Sequence, residues 1–366
     1  MLRLLCVLLS VATPTLAAER LQTSAGAVLI EERVGGLRQP WALGFLPGGE
    51  LLITERGGSL IHVSDGEGTR LAGVPEVVVA GQGGLLDLVV ARDFAASREI
   101  FLSYSKAMPG GAGTALAVAR LSNDATRLED VRVIFEMSAG SGRDVHFGSR
   151  IVEAPDGTLF LTIGDRGARG EAQNLNVHNG KVVRVTRDGG IPSDNPFATG
   201  PRPEIWSYGH RNPQAAALDA AGDLWVVEHG ARGGDEVNRP EAGLNYGWPV
   251  ISYGRHYSGF PIGEGTTKEG MEQPAFYWDP SIAPSGMMIY SGRLFPEWSG
   301  DIFVGSLKFD MISRLERDGG SVREAERLFQ DDFIRIRDIR EAPDGAIWFL
   351  SVVDGAAYRM VPAPAS

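Results

Sequence analysis

Six times along the chain a four-residue apolar run follows a turn marked by glycine or aspartate. The runs begin at Leu51, Ile100, Leu159, Leu224, Ile302 and Ile347, so successive starts lie between 45 and 78 positions apart. That period is too long for a helical solenoid unit. It suits the blades of a propeller carrying insertions, since blade repeats run roughly 40–50 residues. The turn chemistry repeats too. Pro47-Gly48-Gly49-Glu50, Pro155-Asp156-Gly157-Thr158, Ala221-Gly222-Asp223 and Pro343-Asp344-Gly345-Ala346 are turn signals placed just before a strand. The expectation is an all-β fold, a six-bladed β-propeller of four-stranded antiparallel blades around a central funnel. The last blade has three strands of its own near residues 335–340, 346–352 and 356–361, and residues 28–34 can supply its fourth. Pairing the N- and C-terminal strands in this way closes the ring and leaves no open sheet edge.

The chain opens with Met1-Leu2-Arg3, continues through an apolar stretch to Val11-Ala12, and reaches Thr15-Leu16-Ala17-Ala18. A positive start, a short apolar core and small residues at the exit read as a bacterial secretory signal peptide over residues 1–18. Residues 19–366 then form a single propeller domain, periplasmic or secreted. Cys6 is the one cysteine and leaves with the signal peptide. The mature chain therefore has no disulfide, cysteine nucleophile or zinc–thiolate site. Its net charge of −11 becomes −12 once Arg3 is gone. Nucleic acid and anionic membrane surfaces are poor partners for such a protein, and no membrane insertion is expected after cleavage.

Six histidines are scattered along the chain with no HExxH or HxH spacing, which argues against a zinc enzyme. His146 stands out by its context, Asp144-Val145-His146-Phe147-Gly148-Ser149-Arg150, at the entrance to a blade strand. A histidine there is either a general base on the ring's rim or a hydrogen-bonded turn residue. Arg211 and Asn212, pinned by Pro213, present a charged fork and an amide. They suit a carboxylate or carbonyl ligand, or equally bonds to backbone carbonyls. The stretch from Glu228 through Asn238, followed by Asn245-Tyr246-Gly247-Trp248-Pro249, combines carboxylates, amides and glycine-rich backbone. Hard cations such as calcium take six to eight oxygens from such loops, although a solvated acidic loop has the same composition. Lys308 lies just past a strand, and the period-two spacing of Arg335 and Arg337 puts both on one strand face. In a propeller, Arg211, Lys308, Arg335 and Arg337 meet only around the funnel, and four cations there point to a polyanionic small molecule.

These segments together resemble the soluble quinoprotein sugar dehydrogenases that use pyrroloquinoline quinone (PQQ) and calcium, the aldose sugar dehydrogenase branch above all. The likeness runs over roughly residues 26–361. It is carried by Pro40-Trp41-Ala42-Leu43, Gly81-Gln82-Gly83-Gly84-Leu85-Leu86-Asp87, the His146 and Arg211 segments, the two calcium-type loops, and Arg335-Ile336-Arg337-Asp338. The resemblance implies oxidation of an aldose at its C1 hydroxyl, with His146 as general base and Arg211 stabilising developing charge. It implies that Gln82, Arg211, Asn212, Tyr257, Lys308, Arg335 and Arg337 hold PQQ. Backbone carbonyls of Gly230 and Ala231 would bind the calcium on the quinone. Glu236 and the carbonyl of Tyr246 would bind a second calcium. A periplasmic cytochrome or quinone would accept the electrons. Relatives commonly have Pro where this chain has Ala231, so a looser metal loop is expected. Two rival readings are a calcium-dependent lactonase-type hydrolase and a non-catalytic carbohydrate- or protein-binding propeller, because fold does not fix function.

Overall fold

The computed structural model describes residues 18–318 and 321–364. Cys6 and all but the last residue of the expected signal peptide lie outside the described residues. Each apolar run becomes the second strand of an antiparallel sheet: Leu51–Glu55, Glu99–Met108, Leu159–Ile163, Leu224–Glu228, Ile302–Ser306 and Ile347–Ser351. In five of the six every residue is buried. A second strand is covered on both faces by neighbouring blades, so it reads as a continuous apolar run rather than an alternation. The turns before these strands carry Gly157, Gly222 and Gly345 at φ 82°, 88° and 89°, a left-handed backbone that glycine adopts without a Cβ clash.

The first strands are Pro40–Phe45, Leu85–Val90, Ile151–Glu153, Pro213–Leu218, Pro284–Ile289 and Ile336–Glu341. Each packs on the first strand of the next sheet, and the sixth returns to the first, so together they line the axis. Gly26–Val34 pairs antiparallel with Ala356–Pro362, Ile30 opposite Met360, and closes the ring as expected. The closing sheet is larger than expected. Ala18–Thr23 adds a fifth, mostly exposed strand on its outer edge. No helix of the described residues is long and apolar enough to cross a membrane.

Apolar layers hold adjacent blades together. Trp41, Leu52, Leu88, Leu102 and Tyr104 fill the space between the first two blades, and Trp298, Phe303, Phe333 and Phe349 that between the last two. Each such side chain contributes roughly 1.5–3 kcal/mol by leaving water. On the axis itself sits a buried charge network. Arg150 Nη1 lies 2.8 Å from Asp87 and 3.0 Å from Asp338. Arg340 donates to the same two carboxylates at 2.8 and 3.0 Å. Ile151 N–H donates to the other oxygen of Asp87, and Leu43 N–H joins Arg340 on Asp338 Oδ2, which leaves Asp338 Oδ1 facing Arg150 alone. Two cations and two anions cancel, and the network ties four blades under the funnel floor.

Candidate active site

One end of the axis opens into a cavity of about 330 Å³, within the range of small-molecule sites. Trp41 forms its floor. The guanidinium carbons of Arg337 and Arg150 lie 4.3 and 4.5 Å from the indole centroid. Gln82, Asn212, Gln214, His229 and Arg335 supply the walls. Arg337 Nη2 donates to Gln214 Oε1 at 2.8 Å, while its buried Nε has no partner. Burial and the charge of Arg150 push the Arg337 pKa down to about 9. His229 donates from Nε2 to the Pro284 carbonyl at 2.7 Å. Burial and the Arg211 charge lower its pKa to about 3, so its ring stays neutral.

Arg335 shares this cavity for a different reason from the one its spacing implied. It precedes the strand, at φ 61°, and Nη1 donates to the Leu307 carbonyl at 3.1 Å. Arg56, which nothing in its local sequence marks, also faces the cavity, braced by Gln39 Oε1 at 2.6 and 3.0 Å. The expected convergence of four cations is thus redistributed. Arg335 and Arg337 line the funnel, and Arg211 lines the pocket beside it. Lys308 stands exposed at the rim, where Nζ donates to the Ser281 carbonyl at 3.1 Å. Among the described residues no carboxylate oxygen lies within 4.0 Å of the charged nitrogens of Arg56, Arg211, Lys308, Arg335 or Arg337. Arginines on the flanks, such as Arg184 and Arg314, are paired. A wall of uncompensated guanidiniums, one with an orphaned buried N–H, above an aromatic floor fits a flat polycarboxylate.

The neighbouring pocket, about 180 Å³, holds His146. His146 Nδ1 lies 2.6 Å from Asp165 Oδ1. The same oxygen accepts from Gly167 N–H at 2.6 Å, and Oδ2 accepts from Trp248 Nε1 at 2.8 Å. Burial opposes ionisation of Asp165, yet the His146, Gly167 and Trp248 hydrogen bonds outweigh it and hold the carboxyl below its usual range. An ionised carboxylate only accepts, so Nδ1 carries a proton, and in the neutral ring the free lone pair is on Nε2. The backbone of His146 is at φ 55°, and its N–H donates to Gln82 Oε1 at 2.7 Å. Gly164 permits that conformation, because a Cβ there would lie 2.1 Å from the His146 carbonyl oxygen. Arg211 is anchored by its N–H to Glu228 at 2.6 Å and lies over the Trp248 ring at 5.3 Å. Asn212 Oδ1 accepts from Gly148 N–H at 3.2 Å. Tyr257, 76% exposed, edges this pocket rather than the funnel.

Asp165 escaped the sequence reading. Its one local signal is the Gly164-Asp165-Arg166-Gly167 turn after the third apolar run. Asp165→Asn should lower kcat by about 10²–10⁴-fold, the span general-base catalysis covers, because an amide no longer enforces the Nδ1–H tautomer. Steady-state rates on folded variant check this, and an unchanged kcat would remove Asp165 from the chemistry.

The acidic loop divides between two spaces. Gly230 faces a small enclosed cavity with Glu228, Glu236 and Tyr246, while Ala231 faces the His146 pocket. A Cβ on Gly230 would meet the Gly233 and Gly234 oxygens at 2.2 and 2.3 Å, so backbone carbonyls crowd this turn. Asp235 is fully engaged with Ser281, Ile282, Ala283 and Gly230. Glu236 and Glu228 share Asn238 Nδ2 as a donor, at 3.1 Å each. Burial and the Glu228 charge push the Glu236 pKa up to about 8. Among the described residues no three His, Cys, Asp or Glu side chains converge on one point. A cation held here therefore depends on backbone oxygens, the donor type calcium accepts.

The model of the glucose/sorbosone dehydrogenase family matches residues 37–359. Aldose sugar dehydrogenase YliI of Escherichia coli K12 is 46% identical over 340 residues, spanning 90% of this chain and 92% of that protein. The apo-form crystal structure of the soluble aldose sugar dehydrogenase from Escherichia coli superposes with a TM-score of 0.88 at 44% identity, covering 92% of this chain and 100% of that one. The PQQ-bound aldose sugar dehydrogenase from Streptomyces coelicolor gives a TM-score of 0.77 at 25% identity, over 91% and 98% of the two chains.

Proposed function

The chain belongs to the glucose/sorbosone dehydrogenase family, as an oxidoreductase acting on CH–OH groups, and from that premise we propose that it oxidises aldose sugars at C1 to the lactone. PQQ, when bound with calcium, supplies the two-electron acceptor for the C1 hydride. The remaining work falls to the protein. His146 removes the C1 hydroxyl proton at Nε2, and Asp165 steadies the imidazolium that forms. Arg211 sets a cation on the same wall, where negative charge develops. Arg335, Arg337 and Lys308 match the cofactor's carboxylates, Gln82 and Asn212 its polar edge, and Tyr257 closes the side toward His146. Carbonyls of Gly230 and Ala231 bind the calcium that accompanies the quinone. Glu236 and the Tyr246 carbonyl would hold a second calcium. Residues 1–18 direct export, and a periplasmic cytochrome or quinone takes the electrons.

The observation that carries this reading is the His146–Asp165 pair opening beside a funnel of unpaired guanidiniums. Purified protein mixed with PQQ and calcium should reduce an artificial dye acceptor when given aldoses, and a chelator should abolish the reaction. Hydrolysis of lactones by calcium-loaded protein without quinone would replace this reading with the hydrolase.

A further inference from the structure

The His146 pocket carries more positive charge than the proposed cofactor accounts for. The cations that would hold PQQ's three carboxylates, Arg56, Arg335, Arg337 and Lys308, lie around the funnel. In the pocket beside it, Arg169 is left over. Its Nη1 lies 3.2 and 3.3 Å from the two ring nitrogens of His256. Arg143 approaches the same edge, with Nη1 donating to the Gly167 carbonyl at 2.7 Å. No carboxylate oxygen of the described residues lies within 4.0 Å of either guanidinium. The one acid lining the pocket, Asp165, has a fully buried side chain committed to His146, Gly167 and Trp248.

Both elements that present this pair are braced. Arg169 begins the short turn Arg169–Gln173, whose Glu171 and Ala172 carbonyls accept from the buried Lys181 Nζ at 3.0 and 2.9 Å. His256 sits in a tight hairpin, its N–H bonded to the Phe260 carbonyl at 2.8 Å. Binding an unmodified sugar calls for acceptors as well as donors, because every hydroxyl has a proton to give. Away from the catalytic pair, the charged and polar side chains of this pocket are two guanidiniums, an imidazole and the Tyr257 phenol, a set dominated by donors.

We propose that the pocket selects aldoses bearing an anionic substituent, a carboxylate or a phosphate, bound by Arg169 with His256 beside the catalytic His146. The inference rests on the dehydrogenase reading above and specifies its substrate class. Arg169 is a planar fork suited to either anion. An anion held by Arg169 seats the sugar in the pocket that His146 also lines.

The test uses two readouts. With PQQ- and calcium-loaded enzyme, glucuronate and glucose 6-phosphate are compared with glucose. At least one anionic sugar should show a KM about tenfold lower, and its advantage should shrink as salt screens the contact. Arg169→Gln should cut the anionic-to-neutral ratio of kcat/KM by about tenfold, equivalent to about 1.4 kcal/mol, and His256→Asn should shift it in the same direction. Calorimetric titration of cofactor-free protein with each anionic sugar separately gives the second readout. Glucuronate binding that depends on Arg169 identifies a carboxylate site, and glucose 6-phosphate binding a phosphate site. Neutral-sugar turnover with no anion preference and no Arg169-dependent binding overturns the inference. Arg169-dependent binding without any aldose oxidation upholds the anion site and counts against the dehydrogenase reading instead.

Discussion

His146→Ala is expected to lower kcat by about 10²–10⁴-fold while leaving quinone affinity near that of the native protein. The separation follows from the geometry. The His146 side chain touches Asp165 and faces the smaller pocket, whereas Arg335, Arg337 and Trp41 line the funnel. Only the backbone N–H of His146 reaches toward the cofactor wall, through Gln82, and alanine keeps that N–H. The residue already lies at φ 55°, so histidine and alanine bear the same kind of backbone strain there. Stopped-flow reduction with excess aldose measures the chemical step, and an absorbance titration measures quinone binding. A variant that reacts at near-native rates would place the base elsewhere. One that loses quinone binding as well would make His146 a structural support for the funnel.

The second large effect concerns stability. Asp87→Ala should destabilise the fold by about 3–5 kcal/mol, the cost of breaking a buried ion pair from one side. Asp87 is fully buried and accepts from Arg150, Arg340 and the Ile151 N–H at 2.8 Å each. Removing it leaves two guanidiniums facing Asp338 alone, on the axis where four blades meet. Asp87→Asn keeps the shape and loses only the charge, so it should cost less. Urea unfolding followed by tryptophan fluorescence distinguishes the two, and equal midpoints for Asp87→Ala and native protein would make the network energetically idle. Arg150 also backs the Trp41 floor at 4.5 Å, so the alanine variant should loosen the funnel as it weakens the fold.

Much of the fold was legible because blade strands are local objects. Each second strand is announced by a turn and a run of apolar residues, and both signals lie within about ten residues of each other. Even the ring closure could be read, since the terminal strands have no other partner. The added outer strand, Ala18–Thr23, could not be. It is mostly exposed, lacks an apolar face, and pairs only because a tight turn folds it onto Gly26–Glu31.

Cavity-lining residues were legible where a short segment combined unusual chemistry with turn signals, as around His146 and Arg211. What escaped was pairing at a distance. Asp165 matters only because a blade strand and its return turn bring it to 2.6 Å from His146. Arg56 becomes a funnel wall through Gln39, and Arg169 meets His256 across 87 positions. Lys308 and Arg335 show the converse. Their charge was readable, but one stands at the rim and the other reaches the funnel from a left-handed residue before its strand.

By itself, the sequence determined the number of blades, the way the ring closes and several of the segments that line the cavities. These follow from hydrophobic burial and turn stereochemistry, which act over a few residues. The tertiary structure alone decided which charges remain uncompensated. Electrostatic compensation depends on distance through space, and only the closed ring shows that Asp87 and Asp338 neutralise Arg150 and Arg340 beneath the floor while Arg56, Arg169, Arg335 and Arg337 are left facing the cavities.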